Sequence, residues 1–208
     1  SGDNILPNDT YSFFATADYA APLGSGGCWR PRFTFVFAFG VMAIQVLTLS
    51  LLASDVTDSA NKSNSLGIPA GVELTVRISQ IVAIFITAIS QQEVLQSLNV
   101  WYRGYDEETN INAFGSTSRV KWHFSLVSRF VVGCLGLYVT LILILRSDEV
   151  LDLLLNFTAV SFISSVDNVV FILAKWGYIG KDVQNDSRTV ASAKIPITDD
   201  PNATSVKR

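Results

Sequence analysis

Apolar and polar positions along the chain alternate in blocks long enough for membrane helices. Phe33 to Ala53 is an uncharged run of about twenty residues, the length a bilayer demands. Gly40 and Ala43 on it offer a close helix approach, and Gln45 is a lone polar group suited to a helix-to-helix hydrogen bond. A second helix is expected over 74–98. Its charge-free core is short, bracketed by Arg77 and Glu93, and the run Ser90-Gln91-Gln92-Glu93 is too polar to face lipid. A third is expected over 124–146, interrupted only by Arg129, with Gly133 and Gly136 thinning one surface for a neighbour. A fourth is expected over 149–176.

That fourth stretch carries the most information. At about 100° per residue, Asp152, Asn156, Asp167, Asn168 and Lys175 fall on one half of the helix with Ser161 and Ser164. Leu151, Leu154, Leu155, Phe162, Val166, Val169, Ile172 and Leu173 take the other half. A membrane helix that is polar along one side turns that side toward protein or water. The fold expected is therefore an all-α membrane protein, a bundle of four transmembrane helices over 33–180. Helices two and four turn polar faces inward.

Polar arms flank the bundle. Residues 1–32 read as an irregular arm, either a strap that docks on a neighbour or a loose tail. Residues 181–208 read as an extended or disordered tail. The chain starts at Ser1 with no leader-like stretch before the first span, as in a processed or a partial chain. The loop after helix one carries a glycosylation sequon at Asn61-Lys62-Ser63. The loop 99–122 holds Asp106-Glu107-Glu108, which lacks the carboxylate spacing and glycine of a calcium-binding hand and reads as solvated. Ser147 or Asp148 is expected to cap the fourth helix after a tight turn.

Charge sets an expected orientation. Of the fifteen Lys and Arg, only Lys62, Arg77 and Arg146 fall on one side of a four-span arrangement, with Arg129 inside it. The rest gather with both termini on the cytoplasmic-type side, as the positive-inside rule requires. Trp29, Trp101, Trp122 and Trp176 then share that interface as aromatic anchors.

Composition agrees with a membrane setting: mean hydropathy is +0.36 and only 16% of residues are charged. A net charge of −3 argues against a nucleic-acid partner. Cys28 and Cys134 make no disulfide framework, and His123 is the single histidine. HExxH, GxSxG, Walker and CxxC patterns are all missing, so no enzyme and no metal centre is expected. No cofactor is named by the sequence, since a pigment or haem held by a backbone carbonyl, Gln or Asn leaves no motif. Depth along the helices suggests three charge pairs: Asp152 with Arg77, Asp167 with Arg129, and Glu93 with Lys175.

The segments Leu153-Leu154-Leu155-Asn156-Phe157-Thr158-Ala159-Val160 and Val166-Asp167-Asn168-Val169-Val170-Phe171-Ile172-Leu173-Ala174-Lys175 carry a resemblance. With Ser147-Asp148 before them and Gly177 after, they resemble multi-pass membrane proteins of diatom-type (stramenopile) algae, over about residues 68–180. The resemblance implies an algal setting and a four-helix region; it brings no activity and no site residue with it. The function expected is a non-catalytic subunit or interaction module of a larger membrane assembly, its buried charges fixing helix packing. Its partners would be other membrane proteins or copies of itself, within a lipid bilayer. The alternative is an ion or proton channel or transporter component with Asp167 lining the path.

Overall fold

The computed structural model describes residues 4–16, 20–23, 28–31, 33–60, 69, 71–114 and 118–194. A short helix α1 (Ser12–Thr16) precedes an antiparallel strand pair, β1 (Ala20–Leu23) and β2 (Cys28–Pro31), with Ala20 opposite Pro31 and Leu23 opposite Cys28. The rest is helical: α2 (Phe33–Ala60), α3 (Leu74–Ser90), α4 (Gln92–Arg103), α5 (Glu107–Phe114), α6 (Arg119–Arg146), α7 (Val150–Ser164), α8 (Val166–Trp176) and α9 (Lys181–Ser192). Three stretches are long and apolar enough to cross a membrane: Phe33–Asp55, Leu74–Arg103 and Arg119–Arg146. α7 and α8, bent by 44° at their junction, make a fourth if they count as one span.

Helix α6 is the axis of the molecule, packed by α1, α2, α3, α4 and α7. Two glycines allow this crowding. A Cβ built on Gly133 would lie 2.9 Å from both Glu93 Cβ and Val94 Cγ2 of α4. One on Gly136 would lie 3.0 Å from Ser164 Oγ of α7. The thin surface expected on this helix is therefore used by α4 and α7. Gly40 meets nothing comparable on α2.

The helix breaks have local causes. At Ser165, on the α7–α8 bend, the backbone N–H is shared between the carbonyls of Ser161 and Phe162, and the hydroxyl donates to Ser161 O at 2.8 Å. Such back-bonding from serine loosens the regular ladder and bends a helix. At the end of α8, Gly177 takes φ +89, with Gly177 N–H donating to Ala174 O and Tyr178 N–H to Leu173 O. This left-handed cap favours glycine. α3 and α4 part at Gln91, whose ψ of 71 leaves the helical range.

Outward faces are apolar. Ile44, Leu47 and Leu51 on α2, Ile78, Phe85 and Ile89 on α3, and Leu151, Leu154, Leu155 and Phe162 on α7 are all exposed. On α7 and α8 most of the apolar half of the sequence pattern points outward, Val169 and Ile172 included, whereas Val166 and Leu173 are half-buried.

Several expectations are corrected. The arms are not simply irregular. α1 and the residues before it bury Leu6, Tyr11, Phe13 and Phe14 against their own bundle, and Phe13 stacks on Phe171 at 5.4 Å. The expected tail contains α9, an amphipathic helix that buries Val183 and Val190 in the same core. Ile5 N–H donates to Ala193 O at 3.0 Å, joining the two arms, and Thr34 of α2 donates to Asp186 Oδ2 at 2.6 Å, tying α9 to the bundle. The loop 99–122 contains α5, where Asp106 accepts from the Thr109 backbone N–H and hydroxyl. The fourth helix is capped at Glu149 without a side-chain bond; Ser147 instead donates backward to Leu143 O. Asn61 lies outside the described residues.

Candidate functional site: a buried acidic centre

Arg129 and Asp167 have no exposed surface, and Glu93 keeps 8%. The depth-based pairing for them is corrected. Arg129 does not pair with Asp167. Its guanidinium forks onto Asp9 from the N-terminal segment, with Nε to Oδ2 and Nη2 to Oδ1 both at 2.7 Å. Asp9 is itself fully buried, and the Ser12 backbone N–H donates to its Oδ1 at 3.0 Å. The carboxylate thus tethers the start of α1 while it binds the arginine. A planar, two-pronged guanidinium suits this geometry better than a lysine would.

Gln45 links the next layer. It accepts from the Tyr11 hydroxyl at 2.7 Å and donates to Asp167 Oδ1 at 3.1 Å and to Ile163 O at 3.1 Å. The hydrogen bond expected of this residue is therefore present, and it runs to the acidic residue of α8. Asn168 donates to Glu93 Oε1 at 3.3 Å. Burial first, then the charges of Asp167, Glu93 and Asp9, push the Tyr11 phenol above its ordinary range, so it remains a donor.

Three carboxylates thus converge from three places in the chain: Asp9 before α1, Glu93 at the start of α4, and Asp167 at the start of α8. One oxygen of each lies within 4.8 Å of the others. Glu93 Oε2 and Asp167 Oδ2 are buried without a hydrogen-bond partner, as is Arg129 Nη1. A buried polar atom without a partner is uncommon and costs free energy unless something binds it. A single guanidinium offsets the charge of Asp9, and burying the other two carboxylates in ionised form is expensive unless a cation or a proton neutralises them.

A polar cleft of about 430 Å³ adjoins the centre, lined by Asn4, Asn8, Gln96, Asn99, Arg103 and Asn168 among others. Asn168 belongs to both, since its amide is the group that holds Glu93. Toward the 147–149 turn the packing becomes apolar, with Leu49, Val132, Val139 and Val160 buried together. The centre is thus approached by polar groups from one end, while toward the other the packing is mainly hydrocarbon, with Gln80, Thr87 and Thr140 buried in it.

The remaining site residues scatter. Asp152, Arg77 and Lys175 are exposed, and neither the Asp152–Arg77 nor the Glu93–Lys175 pair forms. The 44° bend explains part of this, because the polar half of a straight helix no longer defines one face. Asn156 is half-buried and reaches Ser147 Oγ only at 3.5 Å. Among the tryptophans, Trp101 and Trp176 are exposed as expected of anchors. Trp122 is not: it is buried with Ile5, Leu6, Val100 and Leu126, and its ring packs edge-on against Tyr105. The Trp29 side chain lies outside what is described. Cys134 is free and half-buried, and His123 packs its exposed ring between Trp101 and Trp122.

Sequence reasoning missed Asp9 and Tyr11. The only available signal was weak: the acid and the aromatics Tyr11, Phe13 and Phe14 crowd into six residues of an otherwise Gly-rich arm. No family model, curated protein or solved structure matches this chain.

Proposed function

We propose that this chain is a membrane-embedded, non-catalytic component of a cation-handling protein, in which the Asp9–Glu93–Asp167 centre is the cation site. The observation that carries the reading is the charge imbalance: three buried carboxylates face one guanidinium, and two carboxylate oxygens lack a partner. Ionisable groups at membrane depth are commonly ion or proton sites. The one-sided polar cleft favours a carrier or cation-operated device over an open pore. Helices α2, α3–α4, α6 and α7–α8 would cross the bilayer, with both termini on the cytoplasmic-type side as the Lys and Arg distribution suggests.

A second reading has its own support. The Arg129–Asp9 fork, fully buried and doubly bonded, is suited to fixing the packing of a subunit in a larger membrane assembly. On that reading the acids serve architecture, and partners would dock on the apolar outer faces. The two are separated by purifying the chain gently, reconstituting it into sealed vesicles, and following proton and metal-ion uptake with trapped dyes. Cation-selective uptake that Asp167→Asn abolishes, without loss of folded protein, supports ion handling. Absence of uptake, together with co-purification of a fixed set of other membrane proteins, would replace it with the assembly reading.

A further inference from the structure

We infer that the acidic centre binds one hard divalent cation, and that the bound ion clamps the N-terminal segment onto the helix bundle. The inference rests on the cation-handling reading and deepens it by naming the ion class and its structural consequence. Each of three separate pieces of the chain supplies one ligand oxygen: Asp9, Glu93 and Asp167, all within 4.8 Å of one another. Ca²⁺, with bonds of about 2.3–2.6 Å, and Mg²⁺, with bonds of about 2.0–2.1 Å, both fit among oxygens this close; Ca²⁺ accepts irregular placement, whereas Mg²⁺ demands a near-octahedral one. The set contains no His or Cys, which disfavours zinc and copper.

A second observation points to a ligand rather than to mere crowding. Glu93 and Asp167 are each more than nine-tenths buried, and each keeps one oxygen, Oε2 and Oδ2, without a partner. Taking Asp9 with Arg129 as a neutral fork, Glu93 and Asp167 leave two negative charges when both are ionised. One divalent ion cancels both, as a proton on each would, and the two cases are separated by the response to metal. The cleft that ends at Asn168 provides the approach, and water there completes the coordination shell. Because Asp9 belongs to the segment that carries Tyr11, Phe13 and Phe14 into the core, ion binding and docking of that segment become one event.

The test uses the full chain in nanodiscs. Calcium is expected to raise Tm by roughly 5–10 °C at a hundredfold excess over Kd. Magnesium is expected to do less, and Glu93→Gln and Asp167→Asn to remove the response. These near-isosteric variants retain Asn168 and Gln45 as neighbours. Terbium gives a direct readout in the wild type. Tyr11 reaches Asp167 through Gln45, so it should sensitise terbium luminescence that calcium quenches and Tyr11→Phe weakens. Limited proteolysis should release the N-terminal segment faster in chelator than in calcium. A calcium response that survives in both variants, or no terbium signal, overturns the inference. A Tm that follows pH but ignores metal also overturns it, and leaves proton uptake as the form of the cation-handling reading. Metal binding without any uptake into vesicles keeps the clamp and rejects the transport function.

Discussion

At the residue scale, Arg129 is the pivot. Its ten-residue distance from the start of α6 puts the guanidinium about 15 Å along the helix, too deep to reach water by itself. Asp9 brings the compensating charge to it. Replacing Arg129 with Met leaves Asp9 buried and unpaired beside two other acids, so a loss of about 3–5 kcal/mol is expected. The double variant Arg129→Met with Asp9→Asn should recover a large part of it. Chemical denaturation of the four proteins in a double-mutant cycle checks this, and two additive losses would reject the pairing. Tyr11 supplies a pH test. Its phenol is held above the ordinary 10.0 by burial and by Asp167, Glu93 and Asp9, against the pull of Arg129. A group raised on folding contributes stability below its unfolded value and loses it as pH rises. Stability should therefore fall above about pH 10, and Tyr11→Phe should flatten that fall while costing about 1 kcal/mol at neutral pH for the lost bond to Gln45. Asp167, Asn168, Glu93 and Arg129 were legible because ionisable and amide groups inside apolar runs stand out. Asp9 was not, since its partner lies 120 residues away and nothing in a polar arm marks one acid from another.

At the element scale, the two glycines of α6 test whether the helices are held by close approach. A methyl at Gly133 meets Cβ and Cγ2 atoms at 2.9 Å and the Val94 backbone nitrogen at 3.2 Å, none of them the end of a flexible chain. Gly133→Ala should push α4 from α6 and cost about 1–3 kcal/mol. Gly136→Ala meets only a serine hydroxyl and a distant leucine methyl, and should cost clearly less. Thermal unfolding of both variants side by side decides it; equal effects would mean that the packing is looser than described. The displacement of α4 also moves Glu93, whose Cβ is one of the struck atoms, so Gly133→Ala should weaken any cation response more than Gly136→Ala does. Spans were readable from hydropathy alone, because length and apolarity suffice. Breaks were not. Ser90-Gln91-Gln92-Glu93 announced polarity but not an interruption, and Ser165 bends α7 from α8 through a hydroxyl bond that serine makes in straight helices too. α9 escaped notice because its stripe of Val183, Ser187 and Val190 is small and two-thirds apolar at most.

At the scale of the whole molecule, the 44° bend between α7 and α8 sets a crossing of the membrane against a dip and return. Two observations favour a crossing. The 147–149 turn reverses the chain from α6 into α7, and Gln80 donates to Ser147 O at 2.9 Å at that end. The far end of α8 leads through Gly177 into α9, and Ala193 then lies in one cluster with Trp122, Val100 and Ile5, at the beginning of α6. α9 and the 147–149 turn therefore sit at opposite ends of α6, about 40 Å apart for a helix of 28 residues. A chain that returned to its starting side would bring α9 back to the turn. Single cysteines at the exposed positions Glu107, Asp148 and Asp182, in a background where Cys28 and Cys134 are replaced, turn this into a measurement. The Glu107 pair with Arg119 is exposed at 3.7 Å, so its loss should cost little. A membrane-impermeant thiol reagent added to sealed vesicles should label Asp148→Cys on one face, and Glu107→Cys and Asp182→Cys together on the other. Labelling of Asp182→Cys with Asp148→Cys would make the bent pair a re-entrant loop. In that case Asp167 would approach the membrane from the same side as the turn, and the cleft beside Asn168 would no longer be the way in.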